Sequence, residues 1–161
     1  MSAPSNRHEF PCRLVWTGAA KGGSTSYETY SRDCRVDFPG KPSIRGTSAP
    51  AFRGDPAITN PEDLLVASIS MCHFLSYVAI CARKGVNVIA YDDDAVGTMD
   101  RVEKTFKFTD VLLKPHVTIA PGSDPELART IHERAHQDCF ISNSVNFPVR
   151  HEPVITVAAP V

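Results

Sequence analysis

Two of the five cysteines occupy positions where thiol chemistry is possible. Cys72 lies within an uncharged stretch from Leu64 to Ala82, and Cys139 closes a second helical pattern just before Phe140-Ile141-Ser142-Asn143-Ser144. A helix turns about 100° per residue, which places on one apolar stripe the residues Leu65, Ile69, Cys72, Ser76 and Ala79. Two thiols turned towards one interior can serve as the attacking and resolving cysteines of a thiol redox enzyme. On spacing alone, two structural cysteines remain the alternative.

The other three cysteines are predicted to be structural. Cys81 follows Cys72 by nine residues and therefore projects about 180° away on an ideal helix. Cys12 and Cys34 lie in strand-like segments. Free cysteine is often simply a small buried apolar residue, and the sequence contains no Cys-x-x-Cys pair.

The ends of the helix that carries Cys72 are marked by local signals. Asn60 is a favourable N-cap, Pro61 suits the first helical position, and Glu62 and Asp63 favour the positive end of the helix dipole. Gly85 is a typical C-terminal stop. The pattern predicts a central helix over residues 60–84.

A second helix is predicted over residues 123–139. Ser123 and Glu126 form a capping-box pattern with Pro125 between them. Leu127, Ile131, Ala135 and Cys139 step by four, so we expect Cys139 to face inwards with the aliphatic residues.

The remaining segments predict strands and loops. Residues 8–16 and the alternating segment 24–32 suit two strands, and residues 50–59 suit a loop. Residues 86–101 and 104–120 suit a hairpin with its turn near Asp100, and residues 148–159 a closing strand. The order indicates one α+β domain over residues 1–161, with antiparallel sheets packed against two main helices and with residues 1–59 as N-terminal strands and loop.

Composition narrows the class of protein. The 161 residues carry a formal net charge of -1. Because nucleic-acid-binding domains are usually basic, we do not expect a nucleic-acid partner. The N-terminal residues Met1 to Glu9 lack an apolar leader, which predicts a cytoplasmic, reducing compartment with free thiols. The uncharged stretch Leu64–Ala82 could nearly span a bilayer. Because Ser68, Ser70, His73 and Ser76 interrupt it, we interpret it as a buried helix of a soluble domain rather than a membrane segment.

One rival motif is present in the second helix. His132-Glu133-Arg134-Ala135-His136 fits the H-E-x-x-H pattern of zinc proteases. The context disagrees, because Cys139 and Ser142 stand where the extended motif needs glycine and histidine. A non-catalytic metal site using His132 and His136, with Cys139 as a third ligand, is the milder alternative, and an exposed His-rich helix face is the simplest. His73 is interpreted as a packed or hydrogen-bonded histidine.

Three motifs together resemble the OsmC/Ohr family of thiol-dependent peroxidases, on its OsmC-like branch. The first is Asn60-Pro61-Glu62 followed by an apolar helix that carries Cys72. The second is Cys139-Phe140-Ile141-Ser142-Asn143, and the third is Arg53 in the loop before Asn60. The resemblance covers about residues 16–149.

The resemblance implies a function and a set of site residues. It implies that Cys72 attacks an organic hydroperoxide, that Cys139 resolves the product as a disulfide, and that Arg53 and Glu62 form a charged pair at the site. It also implies an intertwined homodimer, recycled by a dithiol or a low-molecular-weight thiol, without metal or other cofactor. Many members carry proline after the second cysteine, where this chain has Phe140. We expect that difference to bear on the substrate rather than on the thiol pair.

Overall fold

The structure, a computed structural model, describes residues 6–160. The prediction that the N-terminus lacks an apolar leader rests in part on residues 1–5, which lie outside this range. The chain divides into two compact units, and the boundary falls between Asp63 and Leu64. Unit 1 is the segment before this boundary and unit 2 is the segment after it. The expectation of one domain over the whole chain stays a prediction.

Unit 1 is built on a three-stranded antiparallel sheet of β1 (Arg13–Val15), β2 (Cys34–Phe38) and β3 (Lys41–Gly46), in that order. The strand predicted over residues 8–16 is thus confined to its last part. The strand predicted over residues 24–32 is wrong, because that segment forms turns. Its aromatic residues pack around a cation instead, with the guanidinium carbon of Arg32 4.8 Å from the ring centre of Tyr27 and 4.1 Å from that of Tyr30.

The predicted loop over residues 50–59 is confirmed apart from a short 3-10 helix at Pro50–Phe52. Arg53 ends this turn in the left-handed conformation, with φ 67°. The backbone of the next residue, Gly54, lies directly against the backbone of Ser48. A Cβ at Gly54 would overlap the carbonyl group of Ser48. Only glycine fits there, so the sequence fixes the path of the backbone directly after Arg53.

The central helix α1 runs from Pro61 to Lys84, as its capping signals predicted. The amide of Asp63 donates to Asn60 Oδ1 (2.9 Å), and the amide of Asn60 donates to Asp63 Oδ2 (3.2 Å). At the other end Gly85 takes a positive φ of 76°, and the amide of Val86 donates to the carbonyl of Cys81 (2.9 Å). Within the described residues, α1 is the one helix long and apolar enough to cross a membrane by length and composition. Soluble core helices meet the same criterion.

Unit 2 contains two three-stranded sheets rather than the single predicted hairpin. The bounds of the strands along the hairpin segment are β4 Val88–Asp93, β5 Val96–Val102, β6 Thr105–Leu113 and β7 Pro115–Ile119. Each arm of the predicted hairpin is divided into two strands. β5 pairs with β6 in one sheet, and β4 pairs with β7 in the other. At the interruption Asp93 accepts hydrogen bonds from the amide of Lys114 (2.7 Å) and from Ser70 Oγ (2.5 Å). The turn falls at Glu103, with φ 57°, and not near Asp100.

The closing strand is likewise divided into β8 (Val149–His151) and β9 (Val154–Val157). Each adds to a different sheet in parallel orientation, β8 beside β6 and β9 beside β7. The sheets of unit 2 are therefore mixed and not purely antiparallel, although the α+β class is correct.

The second helix, α2, runs from Pro125 to Asp138. Its N-cap is Asp124, whose Oδ1 accepts from the amides of Glu126 (2.9 Å) and Leu127 (3.1 Å). The predicted cap, Ser123, instead accepts a hydrogen bond from the amide of Asn87 (3.1 Å). The two helices and β7 share one buried cluster, to which they contribute Tyr77, Cys81, Val117, Ile119, Ala128, Ile131 and Ala135.

Candidate active site

Cys72 lies in the middle of α1, but not on its most buried face. The fully buried positions of the helix are Ile69, His73, Tyr77 and Cys81, which step by four. The prediction that the stripe of Cys72 forms the core face is therefore wrong. The helix is apolar nearly all the way round, so periodicity could not select the face that packs inwards. Cys81 is buried in the core as expected, and Cys72 is partly exposed at the edge of the packed face.

Cys139 directly follows the last turn of α2 and is completely buried. Its amide donates to the carbonyl of His136 (3.3 Å), and its own carbonyl accepts from the amide of Asn143 (3.0 Å). Its sulfur accepts two hydrogen bonds from Ser142, one from Oγ (3.1 Å) and one from the amide (3.4 Å). The thiol is thereby fixed by the short segment that turns away from the helix.

The structure brings the two thiols together. The thiol of Cys139 is the neighbouring side chain that affects the thiol of Cys72 most strongly. Burial raises the pKa of the Cys72 thiol, and the contact with Cys139 raises it further. Hydrogen bonds from the backbone of Ile141 and Phe140 act in the opposite direction, because they stabilise the thiolate. None of these groups is a cation that would stabilise the thiolate. The pKa of the Cys72 thiol is therefore raised, and the thiol keeps its proton at neutral pH.

A pocket opens beside the exposed side of Cys72. Its volume is about 690 Å³, within the usual range for small-molecule sites. Apolar side chains form most of its lining, namely Met71, Leu75, Ala79, Ile80, Phe140 and Ile141. A molecule bound in this pocket, here called the Cys72 pocket, would meet the sulfur of Cys72 before that of the buried Cys139.

The structure does not pair Arg53 with Glu62. The guanidinium of Arg53 donates through Nη1 to the carbonyl of Glu28 (3.4 Å) and lies 5.8 Å from the ring centre of Tyr27. Glu62 Oε2 is buried and has no hydrogen-bond partner among the described residues. A buried carboxylate oxygen without a partner is costly, so Glu62 retains an unfilled position for a donor or a cation.

The two histidines of the H-E-x-x-H motif have different surroundings in the described part of the chain. His132 is fully buried, and its Nδ1 lies 2.9 Å from Nε2 of His73, close enough for one ring to donate to the other. Glu133 is exposed and lies 3.6 Å from Nε2 of His151. Among residues 6–160 there is no group of three or more histidine, cysteine or acidic side chains that could hold a metal ion.

The arrangement of these histidines was only partly foreseen. The interpretation of His73 as a hydrogen-bonded histidine is confirmed, whereas the exposed His-rich face is wrong for His132. Four imidazoles form a contiguous cluster. His73 comes from α1, His132 and His136 come from α2, and His151 comes from β8.

Sequence reasoning missed three contributions to the thiol site. These are the backbone of Phe140 and Ile141 at Cys72 and the double hydrogen bond of Ser142 to Cys139. The signal was present in the segment Cys139-Phe140-Ile141-Ser142-Asn143. Its use could not be inferred, because the contact with Cys72 depends on how α2 packs beside α1.

Fold and site together define an α+β protein with two neighbouring thiols, one of which borders an apolar pocket. The profile of the family described as OsmC-like protein matches residues 54–153. The chain therefore belongs to the OsmC-like family. It is 29% identical over 91 residues to Peroxiredoxin OsmC of Escherichia coli, and the match covers 56% of this chain and 62% of that protein.

Two solved structures extend the likeness to most of the chain. An OsmC-like protein of unknown function from Vibrio cholerae is 30% identical and superposes with a TM-score of 0.84, covering 92% of this chain and all of that one. An organic hydroperoxide resistance protein OsmC from Legionella pneumophila has the same fold at 17% identity, with a TM-score of 0.69 over 95% of this chain and 100% of that chain. In sequence, by contrast, the match spans only about three fifths of the curated relatives, 60% of the uncharacterized protein YmaD from Bacillus subtilis and 62% of the Escherichia coli protein.

Proposed function

We propose that this protein is a thiol-dependent peroxidase that reduces organic hydroperoxides to alcohols. The observation that carries the proposal is that the thiols of Cys72 and Cys139 are close neighbours, of which only Cys72 borders the apolar pocket. The names of the Escherichia coli and Legionella relatives, a peroxiredoxin and an organic hydroperoxide resistance protein, support the same class of reaction.

The reaction follows from the order in which a substrate meets the two sulfurs. The thiolate of Cys72 attacks the distal oxygen of the hydroperoxide, the O–O bond breaks, and the alkoxide takes up a proton and leaves as an alcohol. Cys72 becomes a sulfenic acid. The thiol of Cys139 then attacks this sulfur, a disulfide forms and water leaves. An external dithiol, or two low-molecular-weight thiols, returns both cysteines to the reduced state.

The attacking thiolate requires a cation, because burial disfavours its charge. Arginine stays protonated when buried, and we assign this role to Arg53, with Glu62 holding the guanidinium in place. The unpartnered Oε2 of Glu62 supports the assignment. In the present structure Arg53 bonds to Glu28 instead, so the proposal requires the side chain of Arg53 to change partners.

The cellular setting belongs to the same proposal. We expect a homodimer that needs no metal. We also expect it in the cytoplasm, because a reducing compartment keeps the resting thiols free. A small-molecule-binding protein without turnover is the competing function, since the Cys72 pocket alone would serve it equally well.

Disulfide mapping separates the two functions. The reduced protein is mixed with one equivalent of cumene hydroperoxide and its peptides are examined by mass spectrometry. We expect a bond between Cys72 and Cys139, with cumyl alcohol formed in equal amount. A matched Cys12→Ser variant, which removes an exposed cysteine, should behave like the parent. Unreacted peroxide, or a disulfide that joins other cysteines, would contradict the proposal.

A further inference from the structure

The two hydrogen bonds from Ser142 to the sulfur of Cys139 have no role in the reaction described above. The hydroxyl of Ser142 donates to this sulfur at 3.1 Å, and the amide of the same residue donates at 3.4 Å. The reaction as written treats Cys139 only as the second thiol. Because both bonds come from one residue, a single substitution can remove the hydroxyl and leave the amide in place.

The turn that carries Ser142 is fixed by bonds of its own. The amide of Asn143 donates to the carbonyl of Cys139 (3.0 Å). The hydroxyl of Ser144 donates to the carbonyl of Phe140 (2.7 Å). These bonds hold the turn against the residues that directly follow α2. The two donors of Ser142 are therefore in position before any reaction begins, and they need no rearrangement to act on the sulfur.

The resolving step places negative charge on the sulfur of Cys139. This thiol loses its proton while its sulfur attacks the sulfenic sulfur of Cys72. The S–S bond forms, the S–O bond breaks, and the hydroxide takes up the proton and leaves as water. The sulfur of Cys139 is completely buried, and burial disfavours the charge that develops on it. Donors that point at the sulfur stabilise this charge, so the two bonds from Ser142 lie where the step needs them.

We propose that Ser142 is a catalytic residue of the resolving step, in which its hydroxyl stabilises the developing thiolate of Cys139. This inference rests on the proposed peroxidase function and adds a residue to its second step. Ser142 gains and loses no proton overall, so the balance of the reaction stays as described. Its effect is confined to resolution, because the peroxide reacts at Cys72. Without the hydroxyl, the sulfenic acid of Cys72 persists and is exposed for longer to oxidation to sulfinic acid.

Ser144 offers a matched control in the same short 3-10 helix, Ser142–Ser144. Its hydroxyl donates to the backbone carbonyl of Phe140 rather than to a sulfur. Ser144→Ala therefore removes a hydroxyl bond from the turn but leaves both donors at the sulfur of Cys139. If the hydroxyl of Ser142 served only to hold the turn, Ser142→Ala and Ser144→Ala would have similar effects on every measurement.

The first experiment separates the two chemical steps. Reduced protein is mixed with one equivalent of cumene hydroperoxide and quenched in acid at successive times, and the intact mass distinguishes its reduced, sulfenic and disulfide forms. We expect Ser142→Ala to consume peroxide at the rate of the parent but to resolve the sulfenic acid about tenfold more slowly, the effect of one lost hydrogen bond to a charged group. Ser142→Thr, which keeps a hydroxyl, and Ser144→Ala should both resolve near the rate of the parent. Equal resolution rates in Ser142→Ala and the parent would overturn the proposal.

A second experiment measures the attack of Cys139 without peroxide, in a Cys12→Ser/Cys34→Ser background that removes two thiols outside the site. Ellman's reagent forms a mixed disulfide at Cys72 and releases one thionitrobenzoate, and Cys139 then displaces the second. Ser142→Ala should slow this second release about tenfold near about pH 6 and progressively less towards about pH 9, where the thiolate forms without help. A deficit that is equal at all pH values would mean that Ser142 only positions the sulfur, and it would refute the inference. If the parent leaves cumene hydroperoxide unreacted, the proposed function fails, and the release of thionitrobenzoate still decides whether Ser142 activates Cys139.

Discussion

Cys72 and Cys139 differ in exposure, and the proposed order of their reactions rests on this difference. Cys139 is completely buried and holds two hydrogen bonds from Ser142, whereas Cys72 borders the pocket. In the proposed reaction a hydroperoxide would therefore reach Cys72 first, and Cys139 would attack the sulfenic acid that results. The two thiols should have distinct and non-exchangeable roles.

Serine variants test these roles. Cys139→Ser should complete one round of peroxide reduction and then accumulate Cys72 as sulfenic acid, or sulfinic acid with excess peroxide, because no resolving thiol is present. Cys72→Ser should lose even this single turnover. Product quantification together with the mass of the intact protein measures both outcomes. Full peroxidase activity in Cys72→Ser would show that the roles are assigned wrongly.

The pH dependence of Cys72 alkylation tests the charge arrangement. Burial raises the pKa of this thiol, and we expect Arg53 to offset that effect in the reactive state. Arg53→Ala should therefore move the alkylation profile to higher pH, and each pH unit corresponds to about 1.4 kcal/mol of lost thiolate stabilisation. Glu62→Gln should move it less, because the arginine remains. Arg101→Ala, which removes an arginine far along the chain in β5, serves as the control. If the alkylation profile of Arg53→Ala overlays that of the parent, Arg53 does not stabilise the Cys72 thiolate.

At the scale of elements, the helices could be predicted and many strands could not. The ends of α1 follow from neighbouring residues, since Asn60 and Asp63 cap each other and Gly85 supplies the positive φ. The strand at residues 24–32 failed for the opposite reason. Its alternating tyrosines satisfy a strand pattern equally well, but they pack around Arg32, and sequence spacing does not encode that contact.

The candidate site shows the same division between local and distant information. The sequence identified both cysteines and the helices that carry them, because caps and turns are local. It did not reveal the actual core face of α1, which depends on the elements packed against an almost uniformly apolar helix. Nor did it reveal the break at Asp93, because the bonds from Lys114 and Ser70 join residues far apart in the chain.

The reciprocal cap of α1 predicts a measurable contribution to stability. Asn60→Ala removes the acceptor for the amide of Asp63, and we expect it to lower the free energy of unfolding by about 1 kcal/mol. Asn60→Asp keeps an acceptor oxygen in place and should cost much less. Urea unfolding of the two variants and the parent provides the comparison. Equal losses in both variants would mean that the cap bond contributes little.

At the scale of the whole molecule, α1 leaves an apolar stripe exposed. Leu64, Met71 and Leu75 are 39%, 60% and 55% exposed, and their spacing of seven and four places them on one side of the helix. Exposed apolar residues in continuous stripes commonly mark contact surfaces. We expect a homodimer, so sedimentation equilibrium should give twice the mass of the chain. A monomer at micromolar concentration would contradict the homodimer that the family resemblance implies.

The buried imidazole cluster predicts how stability depends on pH. Burial, with smaller effects of His151 and His136, lowers the pKa of His73 to about 4. Burial, followed by the effects of His73, His151 and Arg129, lowers the pKa of His132 to about 3. In the unfolded chain both residues titrate near their ordinary value of about 6.5. Between these values the unfolded state binds more protons than the folded state, so stability is complete above about pH 6.5 and falls as the pH is lowered through this window.

The expected slope is about 1.4 kcal/mol per pH unit for each histidine that stays neutral only in the folded state. Two such histidines should double the slope between about pH 6 and pH 4.5. His151, whose pKa is also lowered by burial, adds to the slope in the same direction. His132→Phe keeps a ring against Tyr77, whose ring centre is 3.9 Å from that of His132. It should lower stability at pH 7.5, because Nε2 of His73 loses its partner, but it should also reduce the slope by one proton. Urea unfolding of parent and variant at four pH values measures both quantities. Parallel slopes would mean that His132 does not titrate with unfolding, and the acid sensitivity of the fold would then arise elsewhere.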